Sequence, residues 1–179
     1  MRPWTVGDNV NLAVGQGDLQ ASPLQMAVAY AAVANGGRVP RPHIGLEVED
    51  GRGRLLQRIE RDPARRIDLP AGHRGAILAG LRLAAGAPGG TSYDVFKDWP
   101  RDLPIYGKTG TAERSSRPDD QSWYVAYVPA GRGKAPIVVA ATVEDGGFGA
   151  EAAAPVVRLI LSEHFGVEKK VIKGESRTN

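Results

Sequence analysis

The most regular patterning in the chain lies in its C-terminal half. From Gln121 to Val128 aromatic and β-branched residues alternate with small or polar ones, the period of two expected of a half-buried strand. Ala135 to Glu144 carries the unbroken apolar run Ile137 to Val143, which reads as a strand covered on both faces. Tyr106 to Glu113, preceded by Pro104-Ile105, reads as a third extended segment. A polar loop from Arg114 to Asp120 and turn material from Pro129 to Lys134 join the three. Such short connections predict an antiparallel meander with the Tyr106 strand first.

Helical spacing occupies three other stretches. Ser22-Pro23-Leu24-Gln25 combines an N-cap serine, a proline at the first helical position and a glutamine able to reach back. Small and apolar residues continue to Ala34, so this helix is expected to be buried on most of its surface, and Asn35-Gly36-Gly37 ends it. Residues 71 to 85 place Ile77, Leu78, Leu81 and Ala85 on one side, before Gly86 and Pro88. A last helix is predicted from about Ala152 to His164 after a loop at Asp145 to Gly149. Residues 1 to 20 read as loop with a short strand or turn, and Gly89 to Pro104 reads as loop. Residues 38 to 70 read as a pair of short strands around Gly51-Arg52-Gly53, ending in an arginine-rich connector. The charged tail, residues 167 to 179, is expected to be disordered.

Composition narrows the functional classes. A length of 179 residues suits one ordinary domain or part of a larger one. With 42% hydrophobic and 24% charged residues and no apolar run of membrane-spanning length, the composition is that of a globular chain. The net charge of +3 comes from cations interleaved with acids, which does not favour a nucleic-acid partner. The absence of cysteine excludes disulfides, thiol catalysis and Cys-ligated zinc. His43, His73 and His164 are scattered singly, so no metal site and no cofactor is expected. Met1-Arg2-Pro3-Trp4 leads into no apolar signal region, as though the chain were cut from something longer.

The candidate chemistry lies in Tyr106-Gly107-Lys108-Thr109-Gly110-Thr111-Ala112-Glu113. A phosphate-binding loop would need glycine at the position of Asp102, which is charged and bulky. Read as a strand, the same run sets a lysine ammonium beside hydroxyl donors, a combination suited to a carboxylate. A backbone N–H at the strand edge could serve an oxyanion, and Gly110 would leave room for a peptide to pair with the edge. In an ideal pleat Lys108 and Gly110 face one way and Thr109 and Thr111 the other. A bulge near Gly110 is one way to bring them together. A solvated lysine on a surface strand, with glycine at a bulge, is the alternative for the bare tripeptide.

Four blocks in order carry a family resemblance. They are Gly15-Gln16-Gly17; Ser22-Pro23-Leu24-Gln25-Met26-Ala27 with its helix to Asn35-Gly36-Gly37; Gly107 to Glu113; and Trp123-Tyr124-Val125-Ala126-Tyr127-Val128-Pro129. Together they resemble the C-terminal part of the transpeptidase domain of a class B penicillin-binding protein, of the elongation type similar to penicillin-binding protein 2, over roughly Thr5 to Phe165. The resemblance implies an α+β fold, part of the penicillin-binding-protein transpeptidase and serine β-lactamase-like fold. In it an antiparallel sheet of about three strands has packed helices, residues 1 to 166 form the C-terminal portion, and the N-terminal half of the domain is missing. It also implies a D,D-transpeptidase of peptidoglycan cross-linking, whose partners are peptidoglycan stem peptides and β-lactams.

Residue by residue, the resemblance implies that Lys108 shapes the field around the nucleophile and that Thr109 and Thr111 hold the substrate carboxylate. Gly110 lets the acyl donor pair with the strand, and the Thr111 N–H gives half of an oxyanion hole. It places the protein on the outer face of the cytoplasmic membrane, in the periplasm or cell wall, held by an anchor outside this sequence. The family also uses Ser-x-x-Lys and Ser-x-Asn. None of Ser22, Ser92, Ser115, Ser116, Ser122, Ser162 and Ser176 begins either motif. The chain alone is therefore expected to be inactive, its missing N-terminal half supplying the nucleophile. Two other readings are a non-catalytic module that binds or senses β-lactams or cell-wall peptides, and a relative of the serine β-lactamases.

Overall fold

A computed structural model describes residues 3–113 and 120–175. The polar loop expected at Arg114 to Asp120 falls mostly outside the described residues, as does the end of the charged tail, 176–179. The organising element is a three-stranded antiparallel sheet in the order β5 (Tyr106–Ala112), β6 (Gln121–Val128), β7 (Ile137–Val143). It is the meander expected from the alternation, with β5 on the outside. Pairing of β5 with β6 runs in unbroken register from Tyr106↔Tyr127 to Ala112↔Gln121. The bulge considered at Gly110 is therefore absent.

Among the described residues five helices accompany the strands: α1 (Val6–Ala13), α2 (Pro23–Ala34), α3 (Ala71–Gly86), the short α4 (Tyr93–Phe96) and α5 (Ala153–Phe165). α5 packs on β6 and β7, α3 on β5, and α2 on β6 and β7. Tyr124, Ala126 and Val128 from β6 meet Val157, Leu161 and Phe165 from α5 in one core, all almost fully excluded from solvent. Side chains at every second position of β6 share this face, which is why its alternation was legible.

Several expectations change. Residues 1 to 20 contain a helix, α1, whose start is held by Asp8: its carboxylate accepts from the Thr5 N–H at 2.7 Å and the Thr5 hydroxyl at 2.8 Å. Aspartate three residues after the cap does here what glutamate or glutamine does in the usual box. α2 starts and ends as expected, with the Ser22 hydroxyl accepting from the Gln25 N–H and Gln25 accepting from the Ser22 N–H. It is not buried on most of its surface, because only one side has the sheet to pack on; Ala32 alone is fully buried. The glycine-turned pair appears as β2 (Glu47–Glu49) with β3 (Leu55–Arg58), and its residues are exposed. The arginine-rich connector also carries a strand, β4 (Arg65–Arg66), paired with β1 (Arg38–Val39). Gly37, at φ 88, lets this pair close, since a Cβ there would overlap the Ile67 carbonyl.

The segment from Gly89 to Pro104 is more than a loop. It forms α4 and supplies Val95, Phe96, Trp99 and Leu103 to the core. Arg158 of α5, 1% exposed, reaches into it: its guanidinium donates to the Val95 carbonyl, meets Asp98 at 2.8 Å and lies 5.7 Å from the Trp99 ring centre. On α3, Ala85 is buried and Leu78 and Leu81 half-buried, whereas Ile77 is 41% exposed. After α5, residues 167–175 run without regular structure, and Gly174 donates its N–H to the Ala150 carbonyl at 3.0 Å.

Candidate active site

β5 stays extended through a lysine and two glycines because β6 pairs along all of it. Two contacts mark its outer edge. The Thr109 carbonyl accepts from the Lys108 ammonium at 3.1 Å, and the Thr111 carbonyl accepts from the Gln16 side-chain amide at 3.1 Å. In an antiparallel strand the N–H and C=O of one residue point to the same side. The N–H groups of Thr109 and Thr111 therefore share that outer edge, where no other strand of the described residues pairs.

The sequence left open how Lys108 could meet Thr109 and Thr111 across the pleat; the structure brings it to Thr109. No bulge is needed, because the long lysine stem folds along the edge. Its ammonium lies 3.1 Å from the Thr109 hydroxyl and 3.4 Å from the hydroxyl of Thr91. The Thr109 hydroxyl in turn donates to Thr91 at 2.9 Å. Removal from water by the surrounding residues lowers the Lys108 pKa from its ordinary value. Among the described residues no carboxylate forms an ion pair with Lys108 to oppose that shift.

Gly110 sits where another part of the chain closes on the sheet. A Cβ on Gly149 would lie 2.5 Å from the Trp123 carbonyl and 2.7 Å from the Gly110 carbonyl. Ser122, fully buried, fastens that approach by donating to the Phe148 carbonyl at 2.9 Å and accepting from the Ala153 N–H at 3.1 Å. Gly107 has a different constraint. Its missing side chain makes room for the Tyr124 phenol, with which a Cβ would collide.

Sequence reasoning brought together Lys108, Thr109, Gly110 and Thr111. It missed a site role for Gln16, which entered only through a block of the family resemblance, and for Thr91, seen as loop. Gly15 and Gly17 do take left-handed backbone, at φ 77 and 85, as a tight turn requires. The use of that turn is to aim Gln16 at β5 across a separation of 95 residues. No local signal marks such a contact. The assembled groups are the Lys108 ammonium, the hydroxyls of Thr109 and Thr91 and two edge N–H donors, while no hydrogen bond among the described residues joins the Thr111 hydroxyl to them; the set favours an anionic or carbonyl-bearing ligand. Among the described residues no cluster of His, Cys, Asp or Glu could hold a metal.

Comparison with known proteins agrees with the fold. The family model described as penicillin binding protein transpeptidase domain matches residues 2–162. The peptidoglycan D,D-transpeptidase MrdA of Salmonella typhimurium is 30% identical over 178 residues, covering 92% of this chain and 28% of that protein. Its counterpart from Haemophilus influenzae is 31% identical over 181 residues, covering 92% of this chain and 27% of its own. Among solved structures, Pseudomonas aeruginosa PBP2 superposes with a TM-score of 0.75 at 29% identity, over 99% of this chain and 38% of that one. Penicillin-binding protein A of Mycobacterium tuberculosis, as a ceftriaxone acyl-enzyme, gives 0.69 at 28% identity, over 86% and 34%. The chain thus spans just over a quarter of the length of each of these two curated relatives. The family model spans most of the chain and the solved structures superpose over nearly all of it, and the chain belongs to the penicillin-binding protein transpeptidase family.

Proposed function

We propose that the chain forms the carboxylate and oxyanion side of a D,D-transpeptidase site acting on the D-alanyl-D-alanine ends of peptidoglycan stem peptides, and binding β-lactams at the same place. The observation that carries this is the convergence of the Lys108 ammonium and the Thr109 hydroxyl on the outer edge of β5, within a chain that matches the family model over residues 2–162. Lys108 supplies positive potential to the reacting centre. Thr109 and Thr111 bind the terminal carboxylate by charge-assisted hydrogen bonds. The Thr111 N–H stabilises the oxyanion, and the acyl donor lies along the edge at Gly110.

The attacking serine has no counterpart in this sequence, which contains neither Ser-x-x-Lys nor Ser-x-Asn. Loss of the nucleophile alone lowers the rate by about 10⁶ in serine acyl-transferases, so these 179 residues bind without turning over. A preceding half of the domain supplies the serine and completes the site, at the outer face of the cytoplasmic membrane. That half also gives α2 a second packing surface. The test is a pair of measurements on the same sample. A fluorescent penicillin leaves no covalently labelled band on a denaturing gel. A D-alanyl-D-alanine peptide shifts the amide resonances of Thr109 and Thr111. A labelled band would overturn the assignment of the nucleophile to another segment, and unmoved β5 amides would overturn the binding role.

A further inference from the structure

The turn Gly89-Gly90-Thr91-Ser92 was absorbed by no motif, yet it is built around the motif strand. Gly90 lies so close to the end of α3 that a Cβ would stand 2.5 Å from both the Leu83 and Ala84 carbonyls. Ser92, 1% exposed, donates its N–H to the Ala84 carbonyl at 3.1 Å. Its hydroxyl is 3.3 Å from that carbonyl and 2.9 Å from the hydroxyl of the fully buried Tyr124. The Tyr124 phenol reaches Ser92 through the space that Gly107 leaves open beneath β5. The residue before the motif lysine, the centre of β6 and the end of α3 thus all fasten the residue next to Thr91.

We infer that Thr91 is a positioning residue for the Lys108 ammonium and the Thr109 hydroxyl, held from below by the buried Ser92–Tyr124 pair. The inference rests on the reading of the β5 edge as a ligand-binding edge. An ammonium has three donors and a hydroxyl two acceptor sites and one proton. Lys108 uses its donors on the Thr109 carbonyl, the Thr109 hydroxyl and the Thr91 hydroxyl. Thr91 receives both Lys108 and Thr109, which fills its acceptor sites and leaves its own proton outward. A flexible lysine stem holds one direction only when its acceptors are fixed. When a carboxylate binds, the Thr91–Thr109 bond can reverse. Thr91 then donates to the Thr109 oxygen, and the Thr109 proton turns to the ligand. No bond to carbon changes, and the two hydroxyls keep their protons.

The test follows the Lys108 side-chain resonance of the whole chain, with isotope-labelled lysine, through a pH titration. Thr91→Val keeps the shape and removes the hydroxyl. Loss of an acceptor favours the neutral amine, so the Lys108 midpoint falls by about 0.5 pH unit. Thr91→Ser, which keeps the hydroxyl, restores it, and Tyr124→Phe produces a smaller fall through looser placement of Thr91. Arg82 and Tyr124 also stand beside the strand. Arg82 on α3 lies 6.0 Å from the Tyr106 ring centre, and Tyr124 on β6 is bonded to Ser92. The amide spectrum checks that each variant folds, and Thr91→Ala is read in place of Thr91→Val should the latter not fold. An unchanged Lys108 midpoint without the Thr91 hydroxyl overturns the inference, as does an equal fall in Thr91→Ser. A fall in Thr91→Val alone, with β5 amides that ignore the D-alanyl-D-alanine peptide, upholds the positioning role and removes the ligand reading instead.

Discussion

Residues 3–70 and residues 71–175 contain similar side chains and put them to different use. In the second region Val95, Leu103, Val157 and Leu161 are almost wholly excluded from water. In the first, Val10, Leu24, Leu46 and Leu56 are each more than half exposed, and the contiguous core draws nothing from it. α2 shows the point most directly, since it is well capped and rich in apolar residues yet packs on one side only. Apolar content identifies an element, but stabilisation follows the area that a neighbour removes from water.

The contrast can be broken by mutation. The largest effect expected is that of Leu161→Ala, at 0% exposure in the seam between α5 and the sheet. It lowers stability by about 2–5 kcal/mol, read as a fall in the denaturant midpoint at constant slope. A midpoint that hardly moved would mean that the α5 face is not the centre of the fold. Ser22→Ala follows, at about 1 kcal/mol, because two reciprocal cap bonds define the start of α2. A smaller loss there than the cap normally contributes would show that α2, packed on one side, is only loosely coupled to the rest.

Acid should act next, through Asp98. Partial burial pushes its carboxyl up, but Arg158, a backbone hydrogen bond and Lys170 outweigh this and hold its pKa below the ordinary value. A group depressed in the folded state adds stability above its unfolded pKa, near 3.9, and loses it as pH falls through the folded value. Denaturant midpoints for the native chain therefore drop below about pH 4 more steeply than those of Asp98→Asn. The difference is modest because Asp98 is 39% exposed and solvent screens the pair. Equal acid slopes would place the acid sensitivity elsewhere. The smallest effect is expected for Leu56→Ser on β3, within about 0.5 kcal/mol. A larger loss there would mean that the hairpin's exposed face is covered in solution.

The sequence by itself determined the elements whose cause is local. Alternation defined β6, an apolar run β7, and cap residues the start of α2, while Lys108, Thr109, Gly110 and Thr111 stood out because four consecutive residues on one strand carry the chemistry. α1 was misread because Asp8 closes its cap in place of the usual glutamate or glutamine. The segment after α3 was misread because glycines and prolines punctuate residues that the core then takes up. Only the tertiary structure decided which surfaces of α2 and β2–β3 stay open, and that the lysine reaches its threonine along the edge without a bulge. It alone brought Gln16 and Thr91 to the same strand, across separations of 95 and 17 residues. Helix caps and strand periods are written within a few residues, whereas a donor and acceptor far apart in the chain meet only where the packing of other elements leaves them.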